Sequence, residues 1–212
     1  MTLRANNIEH FYGSEHILHN ISLEIMPKKI TAIIGESGSG KTTLLAILSS
    51  LLKPTRGTIY YDDILLSNIK NIDLFRKKNI GFVFQFHYLI DYLTLKENIA
   101  LGALKESDNI EELIKTLGIS NLANRYGNEV SGGERQRAAI ARALVNSPSF
   151  VFADEPTGNL DTKNAIGVFE LFRNFKDTSF IVATHDKKII DYADIIIEME
   201  DGYVKNISSQ RT

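Results

Sequence analysis

Apolar residues alternate with polar ones over residues 3–9 and 17–25, the pattern of half-buried strands, with FYGSEH between them as a turn. Continuous apolar runs follow a different rule. KITAIIG (29–35), NIGFVFQ (79–85), FVFAD (150–154), SFIVATH (179–185) and DIIIEM (194–199) read as strands covered on both faces. KTTLLAILSSLL (41–52) predicts a helix, KPTRG (53–57) breaks it, and TIYYDD begins another strand. From about 86 to 148 the pattern turns mainly helical, through LTLKENIALGALK, NIEELIKTLG and SGGERQRAAIARALV. Further helical stretches near 162–175 and 186–192 separate the last strands. Strand and helix in alternation predict an α/β fold with a mostly parallel sheet and helices on both faces. The block at 86–148 is expected as a helical subdomain inserted into a single domain over 1–212.

Composition narrows this little. A chain of 212 residues with 43% hydrophobic content can bury a sizeable core. The net charge of -2 supplies no global basic field for nucleic acid or anionic lipid, so no nucleic-acid partner is expected. Cysteine is absent, which excludes disulfides and thiolate metal sites. The start, MTLRANNIEHFYG, shows no apolar secretory region, and LLAILSSLL (44–52) falls short of the ~20 residues that span a bilayer. A soluble protein is expected, with any membrane role acting through a partner.

The chemistry sits at the strand ends. GESGSGKT (35–42) leaves a strand and opens a helix, the setting that the phosphate-loop pattern requires. Gly35, Gly38 and Gly40 let backbone N–H groups close around a polyphosphate, together with Glu36, Ser37, Ser39 and Thr43 along the same loop. Lys41 would reach the β and γ phosphates of ATP, and the Thr42 hydroxyl would ligate Mg²⁺. Asp154 and Glu155 close the apolar strand FVFAD. Asp154 can hold the cation, and Glu155 can orient or deprotonate an attacking water. Gln85 and His185 end two more strands of the parallel sheet, so they should converge on the same edge. There Gln85 could touch metal and water, and His185 a γ-phosphate. Tyr12, in the turn before the loop, could stack on a base or cap the core. His10, His16 and His19 match no metal spacing and read as surface or turn histidines.

A second glycine-led helix start, SGGERQR (131–137), gathers N–H groups as an anion site would, with Arg135 and Arg137 in its first turns. One chain carrying two phosphate-facing helix starts needs a reason. Taken in order, GESGSGKT, Gln85, SGGER, FVFADE, GNLD (158–161) and His185 resemble the ATP-binding subunit of ABC transporters over roughly residues 2–207. The resemblance implies a P-loop NTPase with a mostly parallel sheet core, an N-terminal antiparallel β region and the inserted helical subdomain. It implies ATP and Mg²⁺ as ligands, with Glu155, His185 and Gln85 in catalysis and Thr42, Gln85 and Asp154 toward the metal. It also implies a head-to-tail homodimer, in which Ser131, Gly132, Gly133 and Asp161 of one chain serve the nucleotide on the other's loop.

PTGNLD, ARALVNSP and QFHYLIDYLTLKENIA are further similar to the lipoprotein-releasing group, near MacB-type export and FtsE-type cell-division ATPases. That likeness implies an integral-membrane permease partner, LolC/LolE-like or FtsX-like, at the cytoplasmic side of a bacterial inner membrane. Residues 86–95 would border its docking surface, offering Phe86, Tyr88, Leu89 and Tyr92.

Overall fold

A computed structural model describes residues 1–105 and 109–210. Residues 106–108, inside the expected helical block, lie outside the described residues. The N-terminal alternation forms a hairpin of β1 (Leu3–Tyr12) and β2 (Glu15–Ile25). With β4 (Arg56–Tyr61) and β5 (Ile64–Leu65) it builds a four-stranded antiparallel sheet in the order β2-β1-β4-β5.

The apolar runs form the second sheet. It contains β3 (Ile30–Ile34), β6 (Ile80–Val83), β7 (Phe150–Asp154), β8 (Ser179–Thr184) and β9 (Ile195–Glu200), with β10 (Tyr203–Ser209) at one edge. The order is β10-β9-β3-β8-β7-β6, parallel throughout except for the β9–β10 hairpin.

The two faces of this sheet feed two separate cores, because side chains alternate along each strand. Ile33, Phe150, Phe152, Ile181 and Ala183 face one way and pack with helix α1 (Lys41–Leu48) and the apolar face of the antiparallel sheet. Ala32, Val151, Ala153, Phe180 and Val182 face the other way. There they join α3 (Leu95–Ala100), α4 (Asn109–Thr116), α5 (Gly132–Leu144) and α6 (Thr162–Asn174). Helix α1 is therefore sandwiched between two sheets and anchors the loop that precedes it.

The stretch from 86 to 148 enters from β6 and returns to β7, its immediate neighbour in the sheet. Its last helix, α5, packs on β6 so closely that a Cβ at Gly81 would strike the Ala143 carbonyl. Two elements had no apolar periodicity to betray them. Helix α2 (Ile72–Asn79) buries no residue fully, and β10 exposes most of its length. The strand expected over 79–85 stops at Val83, leaving Gln85 in the loop beyond.

Candidate functional site

Parallel strands β3, β8, β7 and β6 lie side by side, so their C-terminal ends meet along one edge. The phosphate loop leaves β3, Thr184 and His185 end β8, Asp154 and Glu155 end β7, and Gln85 follows β6. The expected convergence is realised.

The loop fits an anion in three ways. Helices α2, α3, α5 and α6 each start with a side-chain cap, whereas α1 starts at Gly40 with none and no acid in its first turn. Its first N–H groups are left for an outside acceptor, with the positive end of the helix dipole behind them. Gly38 and Gly40 hold φ of 84° and 92°, a region closed to most other residues. The Ser39 hydroxyl is buried against the loop with no hydrogen-bond partner among the described residues. Leu18 from β2 packs on Gly40 so tightly that a Cβ there would lie 2.8 Å from its side chain. That contact brings the β1–β2 hairpin beside the loop.

Lys41 folds over the loop, its Nζ donating to the carbonyls of Gly35 at 2.9 Å and Glu36 at 2.7 Å. Burial pushes its pKa down, partly offset by the charges of Glu155 and Asp154. Thr42 Oγ1 donates to Asp154 Oδ1 at 3.1 Å, joining α1 to β7. Burial also pushes the Asp154 carboxyl up, against the Thr42 hydrogen bond and the Lys41 charge. Among the described residues no cluster of three or more His, Cys, Asp or Glu side chains could cage a metal. One hydroxyl and one carboxylate instead suit Mg²⁺, which keeps waters and takes oxygens from phosphate.

Glu155 is held from several directions. Its backbone lies in the left-handed region at φ 45°, and its N–H donates to the Ala183 carbonyl at 2.8 Å. Thr184 Oγ1 donates to Oε2 at 2.7 Å, while the His185 N–H and Nδ1 reach Oε1 at 3.0 and 2.7 Å. A non-glycine residue costs of order 1–3 kcal/mol in such a conformation, which the hydrogen bonds with β8 help to hold. His185 thus addresses Glu155 through Nδ1 and keeps Nε2 for another partner. Gln85 is exposed, its carbonyl accepting from Asn159 Nδ2 at 3.3 Å.

The signature residues lie elsewhere. Ser131 caps α5 in a reciprocal pair with Glu134: its N–H and Oγ both donate to Oε2 at 2.8 Å. Those bonds hold the Glu134 carboxyl below its usual range. Gly133 packs on Asn164, where a Cβ would come within 3.2 Å, and Asn164 is bound by Asp161, the cap of α6. Asp161 therefore organises the helix start beside the signature. The two arginines are spent on carbonyls, Arg135 on Val130 and Arg137 on Leu117, both at 3.3 Å. They leave the glycine N–H groups as the anion-facing part. A cleft of about 770 Å³ along the loop is lined by Gly35, Glu36, Ser37, Ser39, His185 and strand β9, and includes neither Tyr12 nor the signature.

Tyr12 stands half-exposed at the end of β1 rather than in the turn. Of the histidines, His10 is not a surface residue but is buried in β1, on the inward face of a bulged strand, whereas His16 and His19 are half-buried in β2, part of a ring stack reaching Phe11 and Tyr203.

Comparison with known proteins agrees with this geometry. The family described as ABC transporter matches residues 18–158. The lipoprotein-releasing system ATP-binding protein LolD of Cytophaga hutchinsonii is 41% identical, covering 95% of this chain and 98% of the relative. LolD of Aquifex aeolicus is 42% identical over 95% of each chain. A dimeric ATP-binding cassette in a post-hydrolysis state, bound to ADP and Pi, superposes with a TM-score of 0.88 at 34% identity over 99% of both chains.

Proposed function

The chain belongs to the ABC transporter family of ATP-binding subunits, and from that premise we propose that its ATP hydrolysis powers lipoprotein release from a bacterial inner membrane. The observation that carries the cargo class is the near full-length similarity to lipoprotein-releasing subunits from several bacteria. Among the described residues no helix is long and apolar enough to cross a membrane. The work on lipid thus falls to integral-membrane permease subunits of LolC/LolE type, with this chain docked on their cytoplasmic side as one of two copies.

In this reading residues 35–43 wrap the polyphosphate, and Lys41 exchanges its loop carbonyls for β- and γ-phosphate oxygens. Thr42, Asp154 and Gln85 would hold Mg²⁺, which when bound would neutralise charge on the phosphoryl group being transferred. Glu155 orients a water and takes its proton as the water oxygen bonds to the γ-phosphorus and the bond to ADP breaks. Thr184 and His185 keep the carboxylate aimed, and His185 Nε2 is left to meet a γ-phosphate oxygen. Tyr12 stacks on adenine.

Glu155→Gln tests the chemistry. It should bind Mg-ATP normally and hydrolyse it at least ~100-fold more slowly, the scale of a lost general base. Turnover close to wild type would remove Glu155 from that role. For the cargo, the chain reconstituted with its co-purifying membrane subunits should release an acylated lipoprotein from liposomes only when ATP is hydrolysed. Hydrolysis with the lipoprotein still retained would overturn the cargo assignment alone.

A further inference from the structure

Beside the phosphate loop lies a buried histidine that the phosphate chemistry does not use. His10 sits in β1 two residues before Tyr12 and is 6% exposed. The β1–β2 register shifts between His10 and Phe11, and this irregularity sets a buried His10 against an exposed Tyr12. The two rings meet there with centroids 4.8 Å apart and planes at 83°, an edge-to-face arrangement that aromatic pairs prefer. His10 is itself anchored from behind. Its Nδ1 lies 3.4 Å from Thr55 Oγ1, which accepts the Phe11 N–H at 3.1 Å, and Thr55 donates its own N–H to Glu9 at 3.0 Å.

Thr55 meets the ring at Nδ1 alone, which leaves Nε2 over. That nitrogen is buried with no hydrogen-bond partner among the described residues. Burial holds the imidazole pKa below its usual value, so the ring is neutral at pH 7. Filling core space would be done better by leucine, since a buried unpaired ring nitrogen is a net cost. An aromatic ring packed edge-to-face against another has a use that leucine lacks: it fixes the orientation of its neighbour. Tyr12 needs such fixing, because at 53% exposure on a strand end its ring has little else to hold it.

We propose that His10 is a positioning residue for nucleobase binding, holding the Tyr12 ring in the orientation that receives adenine. The inference rests on the reading of Tyr12 as the adenine platform. Its physical content is preorganisation: a ring already fixed spares the ordering cost when the base arrives.

The experiment compares ATP with inorganic tripolyphosphate, which has the phosphates and no base, in wild type, Tyr12→Ala, His10→Leu, His10→Phe and the His10→Leu/Tyr12→Ala double variant. His10→Leu should weaken ATP binding about two- to tenfold, the worth of an edge-to-face pair, and leave tripolyphosphate binding unchanged. It should raise KM without lowering kcat. His10→Phe, which keeps an aromatic edge, should restore affinity to within about twofold of wild type on the same scale. In the Tyr12→Ala background, His10→Leu should do nothing further. Equal losses from His10→Leu with and without Tyr12, equal losses for ATP and tripolyphosphate, or no loss at all would overturn the role of His10 while Tyr12 stands. If Tyr12→Ala itself binds ATP as wild type does, the platform reading fails and the inference with it. Should His10→Leu not fold, His10→Met takes its place with the same outcomes.

Discussion

Asp154 and Lys41 are both pushed toward neutrality by burial, the carboxyl upward and the ammonium downward, in a site that needs both charged. For Asp154 the sign is definite. A carboxyl whose folded pKa lies above its unfolded value destabilises the fold while ionised, and the penalty fades as pH falls through the folded pKa. Asp154→Asn keeps an acceptor for Thr42 and removes the charge. Without Mg²⁺ it should melt higher than wild type at pH 7. The gap should narrow as the pH is lowered into the carboxylate range. A lower Tm for the variant at pH 7 would show that attraction to Lys41 and Thr42 outweighs the burial. Residue types at strand ends made this site legible in sequence, since glycine, lysine and carboxylate chemistry depends on identity. The turn of Lys41 onto its own loop was not legible, because it depends on where the folded loop places the Gly35 and Glu36 carbonyls, nor was the left-handed backbone of Glu155, which meets the Ala183 carbonyl and Thr184 hydroxyl of β8.

Elements read well where burial imposes a period and poorly where it does not. Strands β3, β7 and β8 are covered on both faces and stood out as apolar runs. Helix α2 carries its signal instead in Asn71 as cap, Asp73 in the first turn and Arg76, Lys77 and Lys78 in the last, a charge pattern that suits the helix dipole. Strand β10 was marked by the Asp201–Gly202 turn, both residues at positive φ. The segment after Gln85 is the case where exposure has to be resolved residue by residue. Phe86, Tyr88 and Tyr92 are 60, 64 and 79% exposed, whereas Leu89 packs on the helical core and against Gly127. Arg142 fixes the loop by donating to the carbonyls of His87 and Tyr88, both at 2.7 Å. Of the four residues expected to face a permease, three form the exposed set and Leu89 is half-buried against the helical core. Tyr88→Glu should therefore leave thermal stability within a few degrees of wild type and abolish permease-stimulated ATPase activity. Leu89→Glu should lower the Tm more than Tyr88→Glu does, because it takes away a half-buried apolar contact with the helical core and puts a partly desolvated charge there. Equal melting of the two variants would refute the division, and a Tyr88→Glu chain that still couples would remove this segment from docking.

At the scale of the whole molecule the question is why one chain has two anion-facing helix starts. Helix α1 opens on the phosphate loop, and α5 opens at Ser131–Gly133, braced by Asn164 and Asp161 on α6. The Ser131 N–H and hydroxyl are already held by Glu134, and Arg135 and Arg137 reach carbonyls, so the Gly132 and Gly133 N–H groups are what the second start has to offer. A head-to-tail dimer gives that offer a recipient, since each signature then closes over the nucleotide on the partner's loop. Two lesions test this. Lys41→Ala breaks a chain's own loop, and Ser131→Arg breaks the signature that it presents to its neighbour. Each variant alone should be inactive, because every composite site in its dimer is damaged. Mixed together, they form heterodimers in which one site collects both lesions and the other collects neither, pairing the loop of the Ser131→Arg chain with the signature of the Lys41→Ala chain. ATPase activity, measured with the permease present, should return in part, and ATP-dependent dimerisation gives the same readout if one site cannot turn over alone. Were Ser131 to serve its own chain's nucleotide, every chain in the mixture would stay broken. Heterodimers shown to form, yet silent in both assays, would rule out the shared site.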